Sequence, residues 1–221
     1  MSGKRILGRV LICLGVLFFA GALGLLVYNM QEARAAESSA QEVMVQLGET
    51  IREQALSETP LPRHVFQEET VTVKGDEENS DETITPIIEE MPVVEIDGYF
   101  YIGFLTIPDL GLELPIMELW DYNRLKIAPC RYSGTLAGGN LVIAAHNYLR
   151  HFGTLSQLKQ GAEVLFTDAE GEVTRFVVED LEILGARDIH EMTAGDYPLT
   201  LFTCTYRGRT RFTVRCSIVT E

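Results

Sequence analysis

Three patterns of hydrophobic and polar positions follow one another along the chain. From Val10 to Tyr28, nineteen consecutive residues are uncharged and mostly apolar, VLICLGVLFFAGALGLLVY. At ~1.5 Å rise per residue, a helix of that length just crosses a ~30 Å hydrocarbon core. The apolar residues run all the way round, without the polar face a surface helix of a soluble domain would carry. Residues 31–57 are instead rich in Ala, Glu, Gln and Arg, all good helix formers. Val43, Leu47 and Ile51 recur there at four-residue spacing and predict a helix with a thin apolar stripe. Pro60, Pro62, Pro86 and Pro92 then punctuate a stretch containing GDEENSDET. Such a composition buries too little apolar surface to offset the entropy of ordering it, and predicts a spacer.

From about Val94 the period changes. The run YFYIGFLTIPDLGLELPIM is rich in β-branched and aromatic residues and is broken by Pro108-Asp109 and Gly111, which predicts strand, turn, strand. Asn140–Ala145 follows the Gly138-Gly139 turn and suits a buried strand. Further strands are predicted over Val164–Thr167, Val173–Leu184, Leu199–Tyr206 and Arg211–Val219, with a DAEGE turn between the first two. Short helices fit around Trp120–Lys126 and His151–Leu158. This spacing predicts a mainly β fold, either a closed barrel or a sandwich.

Charge divides the chain at the same places. Residues 1–30 carry Lys4, Arg5 and Arg9 and no acid. Residues 31–95 hold 16 acids against 4 bases, and residues 96–221 hold 16 against 11. We therefore take 1–30 as a basic tip with a transmembrane anchor, 31–95 as an acidic stalk and 96–221 as the functional domain. Bases before the apolar run and acids after it put the N-terminus in the cytoplasm and the domain outside. Ala33-Arg34-Ala35 has the form of a signal-peptide cleavage site, yet the run is longer than the ~7–15 residues of a signal-peptide core. An uncleaved anchor is the expectation. The net charge of -14 argues against nucleic acid as a partner, because phosphate binding needs Lys and Arg.

Candidate chemistry centres on cysteine. Cys13 lies in the apolar run, and Cys130, Cys204 and Cys216 lie beyond it. None forms a C-x-x-C, so no metal site is indicated. Three exported cysteines leave at least one unpaired; Cys130 and Cys216 could bond only if their Cα atoms came within ~7 Å. Strand parity puts Phe212, Val214, Cys216 and Ile218 on one face, with Arg209, Arg211, Thr213 and Arg215 on the other. Cys216 therefore reads as core. Cys204 ends the apolar run LTLFTC before Arg207-Gly208-Arg209, where cations would favour a thiolate. His146 likewise ends the apolar strand LVIAA; His64 falls in the stalk, and His151 and His190 lie in loop or helix. A cysteine with a histidine in reach is the minimum for acyl transfer, and an arginine can stabilise the oxyanion. On these residues alone, a reactive and an inert Cys204 both remain open.

The run TLFTCTY, residues 200–206, resembles the TLxTC signature of sortases, the cysteine transpeptidases of Gram-positive surfaces. VIAAHN resembles the family segment with the catalytic histidine, here His146, and Arg211 in RFTV matches the arginine opening the next strand. The resemblance covers about residues 96–221 and the anchor–stalk–domain layout. It implies an eight-stranded sortase-type β-barrel without a cofactor, with Cys204 as nucleophile, His146 as acid and base, and Arg211 as oxyanion donor. Arg207 and Arg209 are the alternatives for that arginine. Implied partners are secreted surface proteins with a C-terminal LPxTG-like sorting signal, and an amine on a cell-wall precursor or a pilin. The chain stops at Glu221 straight after the last strand, and 57 residues separate His146 from Cys204. Both features favour a single-anchor class A, D or E type. The competing readings are another exported cysteine acyl-transferase or peptidase, and a catalytically inert tethered barrel. An L,D-transpeptidase would place a histidine where Phe202 stands, two residues before the cysteine.

Overall fold

The computed structural model describes residues 2–56, 61, 63–65, 90–194, 196–205 and 208–219. The predicted apolar and amphipathic segments form one helix, α1 (Ser2–Ala55). Strands β1 (Arg63–Val65) and β2 (Glu90–Pro92) pair antiparallel as a small ribbon. The main sheet contains β3 (Val94–Ile96), β4 (Tyr99–Ile107), β5 (Leu112–Met117), β6 (Cys130–Ser133) and β7 (Leu141–Ala145). It continues with β8 (Glu163–Asp168), β9 (Val173–Gly185), β10 (Leu199–Cys204) and β11 (Thr210–Ile218). A short helix, α2 (Ile189–Thr193), lies between β9 and β10. Single 3-10 turns at Arg124–Lys126 and Leu155–Gln157 stand where the sequence predicts short helices.

Strand order is β3-β4-β5-β6-β7-β10-β11-β9-β8, and β8 pairs back onto β4. That last pairing closes β4 to β11 into an eight-stranded barrel and leaves β3 as an added strand. Closure turns on Gly103. Register shifts between Tyr101 and Gly103, so the first part of β4 pairs with β3 and the remainder with β8. At Gly103 φ is 138°, and a Cβ would collide with the Thr167 carbonyl on β8. A glycine is needed for this close approach.

Alternation along the strands sorts the apolar residues into two clusters. Leu105, Ile116, Leu141, Ile143, Phe166, Phe176, Leu201 and Val214 fill the barrel interior. A second cluster covers part of the outside, with Tyr101, Met117, Cys130, Val142, Ala144 and Phe202. The α1 stripe belongs to it: Val43, Leu47 and Ile51 are buried against the outer layer with Val94, Ile96 and Met117. The acidic segment is thus packed over this stretch. The segment GDEENSDET lies outside the described residues. The expected span over residues 10–28 lies within α1, with its side chains from Ile12 to Tyr28 exposed. Among the described residues, no helix is long and apolar enough to cross a membrane.

Candidate active site

Parallel pairing of β7 with β10 brings two of the sequence-derived residues to one level. Leu201 lies opposite Ile143, Phe202 opposite Ala144 and Thr203 opposite Ala145. Continuing one step, Cys204 and His146 lead out of adjacent strands about 5 Å apart, the ordinary strand separation. Cys204 is also directly opposite Arg211 across the antiparallel β10–β11 pair. The three residues therefore sit side by side on three neighbouring strands at one rim of the barrel.

They also share a face. Val142, Ala144 and Phe202 belong to the outer cluster, while Leu141, Ile143 and Leu201 belong to the interior. By the two-residue period, Cys204 and His146 continue the outward row, and Arg211 joins it by register. Cys204, His146 and Arg211 are all half-buried. Thr203 takes the opposite parity, and its hydroxyl donates to the Ala145 carbonyl at 2.8 Å. This bond ties the ends of β7 and β10 together one residue below His146 and Cys204, which gives Thr203 a structural task.

The turn after Cys204 is held by its own hydrogen bonds. Thr205 N–H donates to the Thr210 carbonyl at 3.0 Å, and Gly208 N–H donates to the Thr205 carbonyl at 2.8 Å. The Arg211 guanidinium donates through Nη1 to the carbonyls of Gly208, at 3.0 Å, and Thr210, at 3.1 Å. One of its nitrogens therefore orients the group, and the guanidinium carries five N–H donors in all. Arg209 is exposed on the turn. Arg207 lies outside the described residues.

Arg215 does not join Arg211 at the rim beside Cys204. It shares the parity of Arg211 but is buried, with Nε bonded to the Glu182 carboxylate at 2.7 Å. Its other nitrogens donate to Thr200 Oγ1, at 3.0 Å, and to the carbonyls of Glu191 and Met192. The ring of Tyr197 stacks against it at 5.3 Å. Arg215 thus pins the β9–β10 connection against the outer face. That connection, with Met192 in the outer cluster, forms one wall beside the Cys204 row.

Cys130 and Cys216 are free thiols. Cys216 packs in the interior and Cys130 in the outer cluster, on opposite sides of the barrel wall. Burial pushes each thiol up to about 12. Neither supplies a thiolate near neutral pH.

Sequence patterning gives no weight to the turn beyond His146. His151, which the pattern places only in loop or helix, is fully buried, and neither ring nitrogen has a hydrogen-bond partner. Tyr148 stands between the two histidines, with ring centroids 4.9 Å from His146 and 5.5 Å from His151. His190 is exposed on α2, and His64 is on β1. Among the described residues, no group of three His, Cys, Asp or Glu side chains could hold a metal ion.

Residues 105–219, just over half of the chain, match the sortase domain model. The chain belongs to the sortase family. Sortase A of Bacillus anthracis is 26% identical over 124 residues, which cover 54% of this chain and 59% of that protein. The chain thus spans less than two thirds of that relative's length. Sortase A from Corynebacterium diphtheriae superposes with a TM-score of 0.50 at 25% identity, covering 56% of this chain and 62% of that structure. Sortase C1 from Streptococcus agalactiae shares the fold, with a TM-score of 0.50 at 24% identity and coverage of 57% and 72%. The matched sortase domain runs from the middle of β4 to the end of β11, and so includes the whole Cys204 rim.

Proposed function

We propose that this sortase-family chain is a membrane-anchored cysteine transpeptidase with Cys204, His146 and Arg211 as its catalytic residues. The observation that carries the reading is the register that sets these residues side by side at one rim within the matched domain. Cys204 Sγ attacks the scissile carbonyl carbon of a C-terminal LPxTG-like sorting signal. Arg211 donates to the oxyanion that forms. As the C–N bond breaks, His146 protonates the departing amine and leaves a Cys204 thioester. An incoming amine then attacks the thioester carbonyl, His146 takes its proton, and the C–S bond breaks to return the thiolate. The substrates are secreted surface proteins; the acceptor is an amine on a cell-wall precursor or a pilin.

The layout supports this reading. Residues 1–30 serve as cytoplasmic tip and anchor, 31–95 as the extracellular stalk with its docked helical stretch, and 96–221 as the catalytic domain. Tethering enzyme and substrate to one membrane raises their effective concentration without added contacts. The deciding experiment incubates the full chain with an LPxTG-like peptide library and seeks the thioacyl adduct by mass spectrometry. Wild type forms the adduct and Cys204→Ala does not. Absence of an adduct from wild type across the library, with Cys204 unreactive to alkylation, would return the chain to an inert tethered barrel.

A further inference from the structure

A fully buried imidazole with two unpartnered nitrogens needs an explanation, because desolvating polar atoms without a hydrogen bond opposes folding. His151 is placed by a tight turn. Phe152 N–H donates to the His146 carbonyl at 3.1 Å, while the N–H groups of His151 and Gly153 donate to the Tyr148 carbonyl at 3.0 and 2.9 Å. A side chain at Gly153 would collide with the carbonyls of Asn147 and Tyr148, so the turn closes only with glycine there. Its effect is to fold the chain back so that three rings follow one another: His146, Tyr148, His151. The interplanar angles are 35° and 46°, which makes both contacts tilted ring packing. Burial first, and then the nearby His146, hold the His151 pKa down to about 4. The ring is therefore neutral near pH 7.

We infer that His151 is a positioning residue for the proposed catalytic histidine: it backs the Tyr148 ring, which in turn sets the plane of the His146 imidazole. The inference rests on the catalytic reading of His146. A flat ring is what the contact requires. Imidazole is the smallest side chain that supplies one, which accounts for histidine at a site where its nitrogens find no partner. Leucine has similar bulk but no flat face, and phenylalanine has the face with extra volume.

The test uses the full chain labelled at histidine Cε1, since its four histidines give few signals. The His146 ring signal is followed by NMR in wild type, His151→Leu and His151→Phe, alongside peptide turnover. We expect the His146 signal to move in His151→Leu, kcat to fall about tenfold with KM unchanged, and His151→Phe to restore most of both. Tyr148→Leu is the second variant, with the same loss and no further loss when combined with His151→Leu. An unmoved His146 signal in folded His151→Leu and Tyr148→Leu overturns the positioning role. The signal is read without turnover, so a failure of the catalytic reading is distinguishable from a failure of ring positioning.

Discussion

On or beside the β7–β10–β11 wall, a half-buried cysteine, arginine and histidine at the rim each have a buried counterpart of the same type. Cys204 is half-buried at the end of β10, while Cys216 lies in the interior of β11. Arg211 and Arg215 share a strand and a face, yet one is half-exposed beside Cys204 and the other is sealed under α2. His146 leads out of β7 half-exposed, and His151 returns beneath it fully buried. Residue type does not separate the members of these pairs, and strand parity separates only the cysteines. Depth along the wall does, because it sets which polar atoms meet water or substrate and which must be satisfied by the protein itself.

The cysteine pair should give the largest contrast. Cys204→Ala is expected to abolish thioacyl adduct and turnover outright, with little change in the urea midpoint. Cys216→Ala should keep the adduct and lose about 1–2 kcal/mol, the small-cavity cost of trimming a buried side chain. If Cys216→Ala removed the adduct from a folded protein while Cys204→Ala kept it, rim and core would have to be exchanged.

The arginine pair is the next sharpest. Arg211→Ala should lower kcat/KM by about 10²–10³-fold, the effect of one oxyanion donor, with stability almost unchanged. Arg215→Ala breaks a buried ion pair and strips partners from Glu182, Thr200 and two carbonyls. It should cost about 3–5 kcal/mol in urea unfolding. Its activity loss should follow the population unfolded, and disappear at temperatures where the variant is still folded and α2 is held. Near-wild-type turnover in Arg211→Ala together with loss in Arg209→Ala would move the oxyanion role into the turn.

How much of the molecule is legible in the sequence follows the same division. The strands from Tyr99 to Met117 and from Leu199 to Ile218 are readable because alternation and turn residues are local signals, and the sortase motifs mark the rim. The disposition of α1 is half legible. Val43, Leu47 and Ile51 announce a face, but what covers it depends on residues far along the chain, Val94 and Ile96 on β3 and Met117 on β5. Strand β6 escapes the pattern because its four residues, CRYS, carry little alternation and pair through a bulge. Parity puts Arg215 on the face of Arg211, where it lies, but parity counts faces and knows nothing of α2 closing over one of them. His151 gives no local signal, because its burial comes from a turn whose closure depends on a glycine two residues later.

The histidine pair gives the smallest effect and the one with a definite pH window. The folded-state pKa of His151 is lowered from 6.5 to about 4, first by burial and then by the charge of His146. The unfolded chain therefore takes up this proton as pH falls through about 6.5, whereas the folded chain does so only near 4. Between those values the unfolded state binds more protons, so stability falls as pH falls. The stability tied to a neutral His151 is fully present above about pH 6.5 and is lost by about pH 4. At 1.36 kcal/mol per unit the whole loss is about 3 kcal/mol. Carboxylates add their own acid dependence to every variant, so the informative quantity is a difference of differences. His151→Leu should narrow the gap in unfolding free energy between pH 7 and pH 4.5 by about 2–3 kcal/mol, read from urea titrations at the two pH values. An equally wide gap in the leucine variant would mean that His151 is open to water or finds a proton acceptor in solution. The contrast between an inner and an outer histidine would then fail, even with the arginine and cysteine pairs intact.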